Sequence, residues 1–349
     1  MGREAGIEKR KRSHLELCAT GDVEHEAKTS LFEDVELVHD SLSGLDLGAV
    51  DTSRDFLGKR LRAPFLITGM TGGAAEAEAV NRDLALVAER LGIGFGLGSQ
   101  RAMLRRPDLA RTYSVRDVAP TALVLANLGL NQAAGMTGRE IESVAASVGA
   151  DAICLHLNPA QELVQPEGDR SFARGLETLR RLAAELAIPL VVKETGCGIS
   201  ASVGRRLEAA GVRYVDVSGA GGTSWVRVEQ LRGDARSRAL GELFRDWGIP
   251  TAASLVQLRS TGLVRIASGG IRNALDACKA LALGAEVVGF ALPVYRAWCA
   301  GGVEAASGFV EELVEGVRVA MVLTGAPTLE ALRHVRVVIG PRLDRWREP

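Results

Sequence analysis

The chain has 349 residues, 47% of them hydrophobic and 24% charged, which predicts a globular protein with one large domain or two ordinary ones. Its formal net charge of −1 excludes a general attraction to nucleic acid or to an anionic membrane, so any bound anion needs a local site. No apolar run approaches the roughly 18 residues of a membrane span, and the N-terminus lacks the apolar stretch of a signal peptide.

The five cysteines are dispersed along the chain and form no CxxC or CxxxC pair. This usage predicts reduced thiols that are buried as small apolar residues in a cytoplasmic protein, rather than a disulfide framework. The residues are Cys18, Cys154, Cys197, Cys278 and Cys299.

Residues 1–62 are polar and rich in charge, and we expect them to form an N-terminal extension to a domain of residues 63–349. Their stretch EKRKRSHLE (8–16) carries four consecutive cations and then His14. Taken alone, this stretch is a solvated basic arm. Folded over a binding site, it would instead clamp an anionic group, so the extension is interpreted as an arm followed by a packing segment.

Eight short apolar runs alternate with amphipathic segments from Pro64 onward. The runs are apolar on both faces and rich in Val, Ile and Leu, as in strands of a buried parallel sheet. Eight such repeats predict an α/β protein with a (β/α)8 TIM barrel, and a doubly wound eight-stranded sheet is the alternative. The runs are 64–68, 93–99, 121–127, 151–157, 189–194, 213–219, 263–270 and 285–291, and the main helical segments are 75–92, 138–149, 173–187, 200–211 and 272–284.

The segment 224–250, after the sixth predicted strand, is longer than the other connections. It contains the charged stretch RVEQLRGDARSRALGELFRDWG before the next helix begins. Long connections in such folds often carry function, so we interpret this segment as an inserted active-site loop or lid.

Polar residues and glycines are concentrated where the predicted strands end. In a (β/α)8 barrel these carboxyl ends form the active site, and stability alone does not account for the concentration. The strand ends read TGMTGG (68–73), GLGSQR (96–101), ANLGLNQ (126–132), HLNPAQE (156–162), KETGCG (193–198), SGAGGTSW (218–225), SGGIRN (268–273) and FALPV (290–294).

The last three strand ends predict a phosphate site. SGGIRN precedes a helix, and its glycines would let backbone N–H groups approach an anion at the helix N-terminus. SGAGGTSW adds a second glycine turn with the hydroxyls of Ser218 and Thr223. The alternative for each motif is a tight turn without a ligand.

Four further strand-end residues have a predicted chemical role and a plainer alternative. Lys193 would stabilise developing negative charge, or would pair with Glu194 at the rim. Arg101 would grip a phosphate, or would form a rim salt bridge. Glu162 is a lone carboxylate of the kind that holds Mg²⁺ together with substrate phosphates, and Gln161 offers a neutral amide. The motif NPAQE around them could also simply cap a helix.

These motifs resemble those of type 2 isopentenyl diphosphate isomerase, the FMN-dependent form, in their order along the chain. The resemblance runs from residue 10 to the LTGA at 323–326. The matching stretches are RKRSH, PFLITGMTGG, GLGSQR, ANLGLNQ, HLNPAQE, VVKETGCGIS, VDVSGAGGTSW and ASGGIRNALDACKALALGA.

The resemblance implies a role for each matching residue. Glu162 would hold Mg²⁺, Gln161 would lie near the isoprenoid carbons, and Lys193 and Gln161 would be the catalytic residues. The substrate diphosphate would meet Arg10, Lys11, His14, Ser99, Gln100 and Arg101. FMN would be held by Gly69, Met70, Thr71, Ser99, Asn127, Lys193, Ser218 and Thr223, and its phosphate by Gly270, Ile271, Arg272, Ala291 and Leu292.

The implied reaction is the reversible isomerisation of isopentenyl diphosphate to dimethylallyl diphosphate in isoprenoid biosynthesis. It moves a proton across an allylic unit without net redox change, yet it needs reduced FMN, which NADPH or another reductant would supply. Either the reduced flavin or Gln161 would carry the proton, and both remain open. The resemblance also implies a homotetramer or homo-octamer.

Two rival interpretations remain. An FMN-dependent oxidoreductase on the same barrel would need a histidine beside the arginine in SGGIRN, or a nucleophilic cysteine in GAGGTSW, and neither is present. A flavin-binding protein without activity should have lost at least one of Arg101, Gln161, Glu162 and Lys193, and this chain has all four.

Overall fold

The computed structural model describes residues 2–347, with side chains from residue 10 onward. Eight parallel strands form a closed barrel, which confirms the predicted (β/α)8 fold and makes the open doubly wound alternative wrong. The ring closes where the last strand pairs with the first, with Val288 opposite Phe65. The strands are β1 (Phe65–Ile67), β2 (Gly94–Gly96), β3 (Leu123–Gly129), β4 (Ala152–Leu157), β5 (Leu190–Glu194), β6 (Tyr214–Asp216), β7 (Val264–Ala267) and β8 (Val287–Phe290).

Helices follow the strands and cover both ends of the barrel. The longest contains a break at Gly301 and Gly302, where the backbone leaves helical geometry. In chain order the helices are α1 (Gly2–Thr20), α2 (Ala75–Leu91), α3 (Arg101–Arg105), α4 (Leu130–Ala133), α5 (Gly138–Ser147), α6 (Pro159–Val164), α7 (Gly175–Glu185), α8 (Ala201–Ala209), α9 (Trp225–Arg232), α10 (Ala235–Phe244), α11 (Thr251–Gln257), α12 (Ala274–Ala282), α13 (Leu292–Leu323), α14 (Leu329–Leu332) and α15 (Pro341–Asp344).

The predicted strands and helices are confirmed at nearly their predicted bounds, and local sequence explains the ends of the helices. Gly92 ends α2 in the left-handed conformation with φ of 64° and donates its N–H to the carbonyls of the last turn. Thr137 and Glu140 form a capping box at the start of α5, and Asn273 caps α12 by accepting from Asp276 N–H.

The amino ends of the strands are closed by a β-hairpin, Arg54–Phe56 paired with Lys59–Leu61. Phe56 and Leu57 at its tip are buried, and the Phe56 ring meets the Tyr214 ring edge-on at 5.9 Å. The hairpin therefore forms an apolar plug together with inward-facing strand residues, namely Leu66, Leu123, Leu125, Ala152, Cys154, Val191, Ile266 and Val287.

The first and last segments of the described chain are tied to the barrel and to each other. Val35–Leu37 pairs antiparallel with Val337–Ile339. Helix α1 lies against α13 and α9 at the other end of the molecule.

All five cysteines are free. Within residues 2–347, no helix combines the length and apolar character that a membrane span requires.

The segment 224–250 folds into the helices α9 and α10, which pack against each other. Both contact α6, the short helix that follows β4. Helix α11 then occupies the position of the helix after β6. The predicted insertion is thus a helical pair beside the carboxyl ends of the strands.

Candidate active site

Two adjoining cavities lie at the carboxyl ends of the barrel strands, where the sequence predicts the active site. Lys11, His14, Gly69, Met70 and Lys193 border both. The first cavity is also lined by the predicted residues Thr71, Ser218, Thr223, Gly270, Ile271, Arg272, Ala291 and Leu292. The second is also lined by Arg10, Ser99, Arg101, Asn127, Gln161 and Glu162.

The first cavity is bordered by the two predicted glycine turns. Gly269 and Gly270 have φ of 95° and 74°, which side chains rarely adopt. A Cβ on Gly222 would overlap the backbone of Gly270, so the two turns touch only because both are glycine. The exposed backbone suits a phosphate-bearing ligand.

Thr71 supplies an independent sign of a ligand in the first cavity. The residue is 2% exposed, and its Oγ1 has no hydrogen-bond partner among the residues that the structure describes. A buried hydroxyl without a partner costs free energy, on the order of 1–3 kcal/mol. The polar edge of a flavin ring would satisfy this group, so the residues present fit FMN.

Lys193 extends from the end of β5 into the floor of both cavities. Its Nζ lies 3.3 Å from Asp216 Oδ2 and donates to Ser218 Oγ at 3.1 Å. The alternative of an ion pair with Glu194 is wrong, because the Glu194 carboxylate accepts N–H bonds from Thr195 and Cys197 instead. Burial raises the pKa of Glu194 to about 7.

Asp216, at the end of β6, is a site residue that the sequence reasoning missed. It is 1% exposed, and its Oδ1 accepts hydrogen bonds from Ser268 Oγ at 2.6 Å and from Ser218 N–H at 3.1 Å. With Oδ2 facing Lys193, both carboxylate oxygens have partners. An acidic residue inside the apolar run RYVDVSG was the available signal.

Helix α1 places the basic arm over the second cavity. Lys11 and His14 are each 9% exposed, so the interpretation of a solvated arm is wrong for these two residues. Burial, followed by the charges of Arg10 and Arg101, lowers the pKa of Lys11 to about 7. An anion in this cavity would offset that repulsion.

The motif GLGSQR divides between cavity wall and core. Ser99 and Arg101 line the second cavity, and Arg101 Nη1 is 4.0 Å from Asp169 Oδ2. Gln100 is fully buried and lines neither cavity. Its Oε1 accepts from Asn127 N–H at 2.9 Å. Gln100 therefore supports the site residue Asn127, and its predicted contact with substrate has no geometric support.

His156 enters the second cavity from β4 and was not assigned a role from the sequence. Asn127 Nδ2 donates to Leu97 O at 3.0 Å, which turns its Oδ1 toward His156 Nδ1 at 2.8 Å. Burial, with the charges of Lys11 and Lys193, lowers the pKa of His156 to about 3. The ring is therefore neutral, with its proton on Nδ1 and Nε2 free to accept.

Gln161 and Glu162 lie side by side at the start of α6. Glu162 accepts from Asp169 N–H at 2.7 Å and from Asn158 Nδ2 at 3.2 Å, both neutral donors. Gln161 Nε2 donates to Glu229 Oε1 at 3.1 Å.

Glu229, from α9 of the insertion, was not predicted, since nothing local distinguishes it from the surrounding charges. It is fully buried, and His14 Nε2 donates to its Oε1 at 3.0 Å. Burial opposes its ionisation, yet the bond and charge of His14 and the charge of Arg232 hold the pKa of Glu229 below its usual value. Its carboxylate thus joins α1 and α9 to Gln161.

The protein supplies only some of the contacts that Mg²⁺ and the FMN phosphate would need. In residues 10–347, no group of three or more His, Cys, Asp or Glu side chains could hold a metal ion. Among residues 10–347, Glu162 has no cationic partner, so it fits a Mg²⁺ held by one carboxylate together with substrate phosphates. Arg272, predicted for the FMN phosphate, donates to Glu24 and keeps only part of its guanidinium for a ligand.

Comparison with known proteins gives relatives over nearly the whole chain. An isopentenyl-diphosphate delta-isomerase from Methanothermobacter thermautotrophicus is 44% identical, covering 97% of this chain and 95% of the relative. One from Synechococcus sp. is 45% identical, covering 96% and 97% respectively. One from Pyrococcus furiosus is 44% identical, covering 97% and 88%.

The family model of FMN-dependent dehydrogenases matches residues 158–338, just over half of the chain. Among solved structures, a mandelate oxidase variant with an FMN adduct has a TM-score of 0.64 at 20% identity, covering 95% of this chain and 100% of that chain. At that identity the likeness shows the barrel fold alone. On its full-length similarity to the isomerases, the chain belongs to the isopentenyl-diphosphate delta-isomerase family, in its type 2, FMN-dependent form.

Proposed function

We propose that this protein interconverts isopentenyl diphosphate and dimethylallyl diphosphate by moving a proton across the allylic unit, with reduced FMN and Mg²⁺ and without net redox change. One observation carries the proposal. The cations of α1 and Arg101 share a single cavity with the carboxylate of Glu162 and the amide of Gln161. The glycine turns and Lys193 border the adjoining cavity.

The diphosphate would occupy the cationic side of the second cavity. Arg10, Lys11 and Arg101 would meet its oxygens, and Glu162 would hold Mg²⁺ against them. His14 is held by Glu229 and would fix α1 over the bound anion. Closure of α1 and the insertion over the substrate would exclude water from the reacting carbons.

When bound, reduced FMN would supply an electron-rich ring that stabilises developing positive charge and can exchange a proton. Lys193, fixed by Asp216 and Ser218, would favour the anionic form of that ring. Either this ring or Gln161, whose Nε2 donates to Glu229 Oε1, would carry the proton at the substrate carbons. His156 is neutral and can only accept a hydrogen bond there.

The remaining parts of the proposal concern the setting of the reaction. NADPH is the proposed reductant of FMN. The assembly is proposed to be a homotetramer or homo-octamer, and the location cytoplasmic. We also propose that residues 1–62 form an extension and that residues 63–349 form the barrel domain.

The test is conversion of isopentenyl diphosphate by purified protein under anaerobic conditions with FMN, Mg²⁺ and NADPH. We expect dimethylallyl diphosphate to form only with reduced FMN. Glu162→Gln should lower the rate by about 100-fold or more, because the amide cannot hold Mg²⁺ against the diphosphate. Glu177→Gln, at an exposed carboxylate on α7, is the control and should not change the rate. FMN binding without isomerisation would refute the proposal.

A further inference from the structure

A third depression lies outside the two catalytic cavities, between α3, α4 and the segment that follows α6. We call it the arginine groove, and it encloses about 550 Å³. Arg101 and Gln132 line both this groove and the second cavity, so the two spaces adjoin at these side chains. The groove is further lined by Leu104, Arg105, Leu130, Met136, Asp169, Arg170 and Arg174.

The groove carries four arginines and one carboxylate. Asp169 lies 4.0 Å from Arg101 and also accepts from Gln132 Nε2 at 3.0 Å. Within the described part of the chain, Arg170 donates only to the carbonyls of Leu163 and Gln165 and has no carboxylate partner.

Arg105 and Arg174 are exposed, and their guanidinium groups make no hydrogen bond or ion pair with any described side chain or backbone group. A concave surface with this excess of positive charge concentrates anions. Arginine also matches phosphate oxygens bidentately.

The groove also has an apolar component. Leu104 is 39% exposed within it, beside Met136. An exposed leucine next to free guanidinium groups suits a ligand with both a flat apolar part and phosphates, because arginine stacks on aromatic rings and also binds phosphate. That combination describes a nucleotide. A five-carbon diphosphate has no second part to place there.

We propose that the arginine groove binds the adenosine diphosphate half of a dinucleotide reductant whose nicotinamide ring enters the second cavity. The inference rests on the proposed function, which requires a reductant for FMN. The two spaces adjoin at Arg101 and Gln132, so one extended ligand that passes these side chains would occupy both. The reductant and the isoprenoid diphosphate would then exclude each other from the second cavity, while only the reductant uses Arg105 and Arg174.

The test compares two ways of reducing the FMN-loaded enzyme under anaerobic conditions. NADPH transfers one hydride to oxidised FMN and leaves as NADP⁺, and stopped-flow absorbance gives its half-saturating concentration. Dithionite reduces FMN without a binding site. The variants are Arg105→Ala, Arg174→Ala and the double variant, with Arg259→Ala as control, since Arg259 is exposed before β7 at the opposite end of the barrel.

We expect the double variant to need at least ~10-fold more NADPH for half-saturation, from the loss of charge-assisted phosphate contacts. Its KM for isopentenyl diphosphate after dithionite reduction should stay within about twofold of wild type. An unchanged NADPH requirement, or no reduction of wild type by NADPH, would overturn the inference. An equal rise in the substrate KM would also overturn it, because the groove would then attract any anion. Absence of isomerisation by the dithionite-reduced wild type refutes the proposed function instead, while the NADPH titration still reports on the groove.

Discussion

The two ends of the barrel are built from the same strands but differ in how far their charged and polar side chains have partners within the protein. At the amino ends, the hairpin inserts Phe56 and Leu57, and several of the charged side chains around it form ion pairs. Arg54 and Arg333 both contact Glu286, and Arg116 contacts Asp151 at 2.6 Å.

At the carboxyl ends, several buried polar groups lack a compensating partner. Among residues 10–347, Glu162 has neutral donors only, Thr71 Oγ1 has none, and Lys11 lies among other cations. This difference indicates which end of the barrel gains free energy when a ligand binds. A paired charge has little to gain from a ligand, whereas an uncompensated one gains a partner when the ligand arrives.

The largest expected effect is on the amino-end plug. Phe56→Ala should lower the free energy of unfolding by about 3–5 kcal/mol, because it leaves a cavity in the apolar cluster. FMN affinity and the substrate KM should stay at wild-type values, since the plug is at the far end from the site. Denaturant unfolding with parallel assays measures both, and Leu42→Ala, at a side chain that is 91% exposed, is the control. A loss of FMN affinity without a loss of stability would contradict the separation of the plug from the ligand site.

The next effect concerns the buried pair beneath both cavities. Asp216→Asn keeps the shape of the side chain but leaves the Lys193 ammonium without its counter-charge, and should lower the free energy of unfolding by about 3 kcal/mol. It should also make FMN easier to reduce, because uncompensated positive charge favours the anionic reduced ring. Spectroelectrochemical titration of the loaded variant measures this shift. A potential equal to that of wild type would show that Asp216 acts on stability alone.

A smaller effect is expected for the link between α1 and Gln161. Glu229→Gln keeps the side-chain volume but removes the carboxylate that accepts from His14 and Gln161. We expect kcat/KM to fall roughly 10-fold, with FMN affinity unchanged. Glu242→Gln, at an exposed carboxylate on α10, provides the matched control. Equal effects in both variants would mean that the insertion contributes only general packing.

The last effect, spread over two pH units, is a pH dependence from Lys11. Burial lowers its pKa to about 7, so below pH 7 it is already protonated when an anion arrives. Above pH 7 the free protein must take up a proton to bind the anion, so the Kd of inorganic pyrophosphate should rise by up to ~10-fold per pH unit. Calorimetric titration between pH 6 and 9 should show this rise for wild type. The Lys11→Met variant should bind pyrophosphate more weakly, and its Kd should rise less steeply with pH than that of wild type. An equally steep rise in both proteins would show that Lys11 does not cause the pH dependence.

The barrel strands were predictable because most are apolar runs whose residues are buried on both faces, as the seven buried residues of β3 show. Lys193, Glu162 and Arg101 were predictable because strand ends in such a barrel meet at one place. Asp216 and Glu229 were not, since their roles depend on Lys193 and His14, which are distant in the chain. Gln100 shows the converse, because its place in a promising motif did not reveal that its side chain turns into the core.

The central claim is tested most directly by counting turnovers for each reduced flavin. The FMN-loaded enzyme is reduced once with dithionite, freed of excess reductant under anaerobic conditions, and mixed with Mg²⁺ and isopentenyl diphosphate, and the products are followed by NMR. An isomerase without net redox change predicts many molecules of dimethylallyl diphosphate per FMN while the flavin stays reduced. Formation of at most one molecule of a saturated, reduced diphosphate per flavin, with the flavin becoming oxidised, would contradict it and indicate an oxidoreductase.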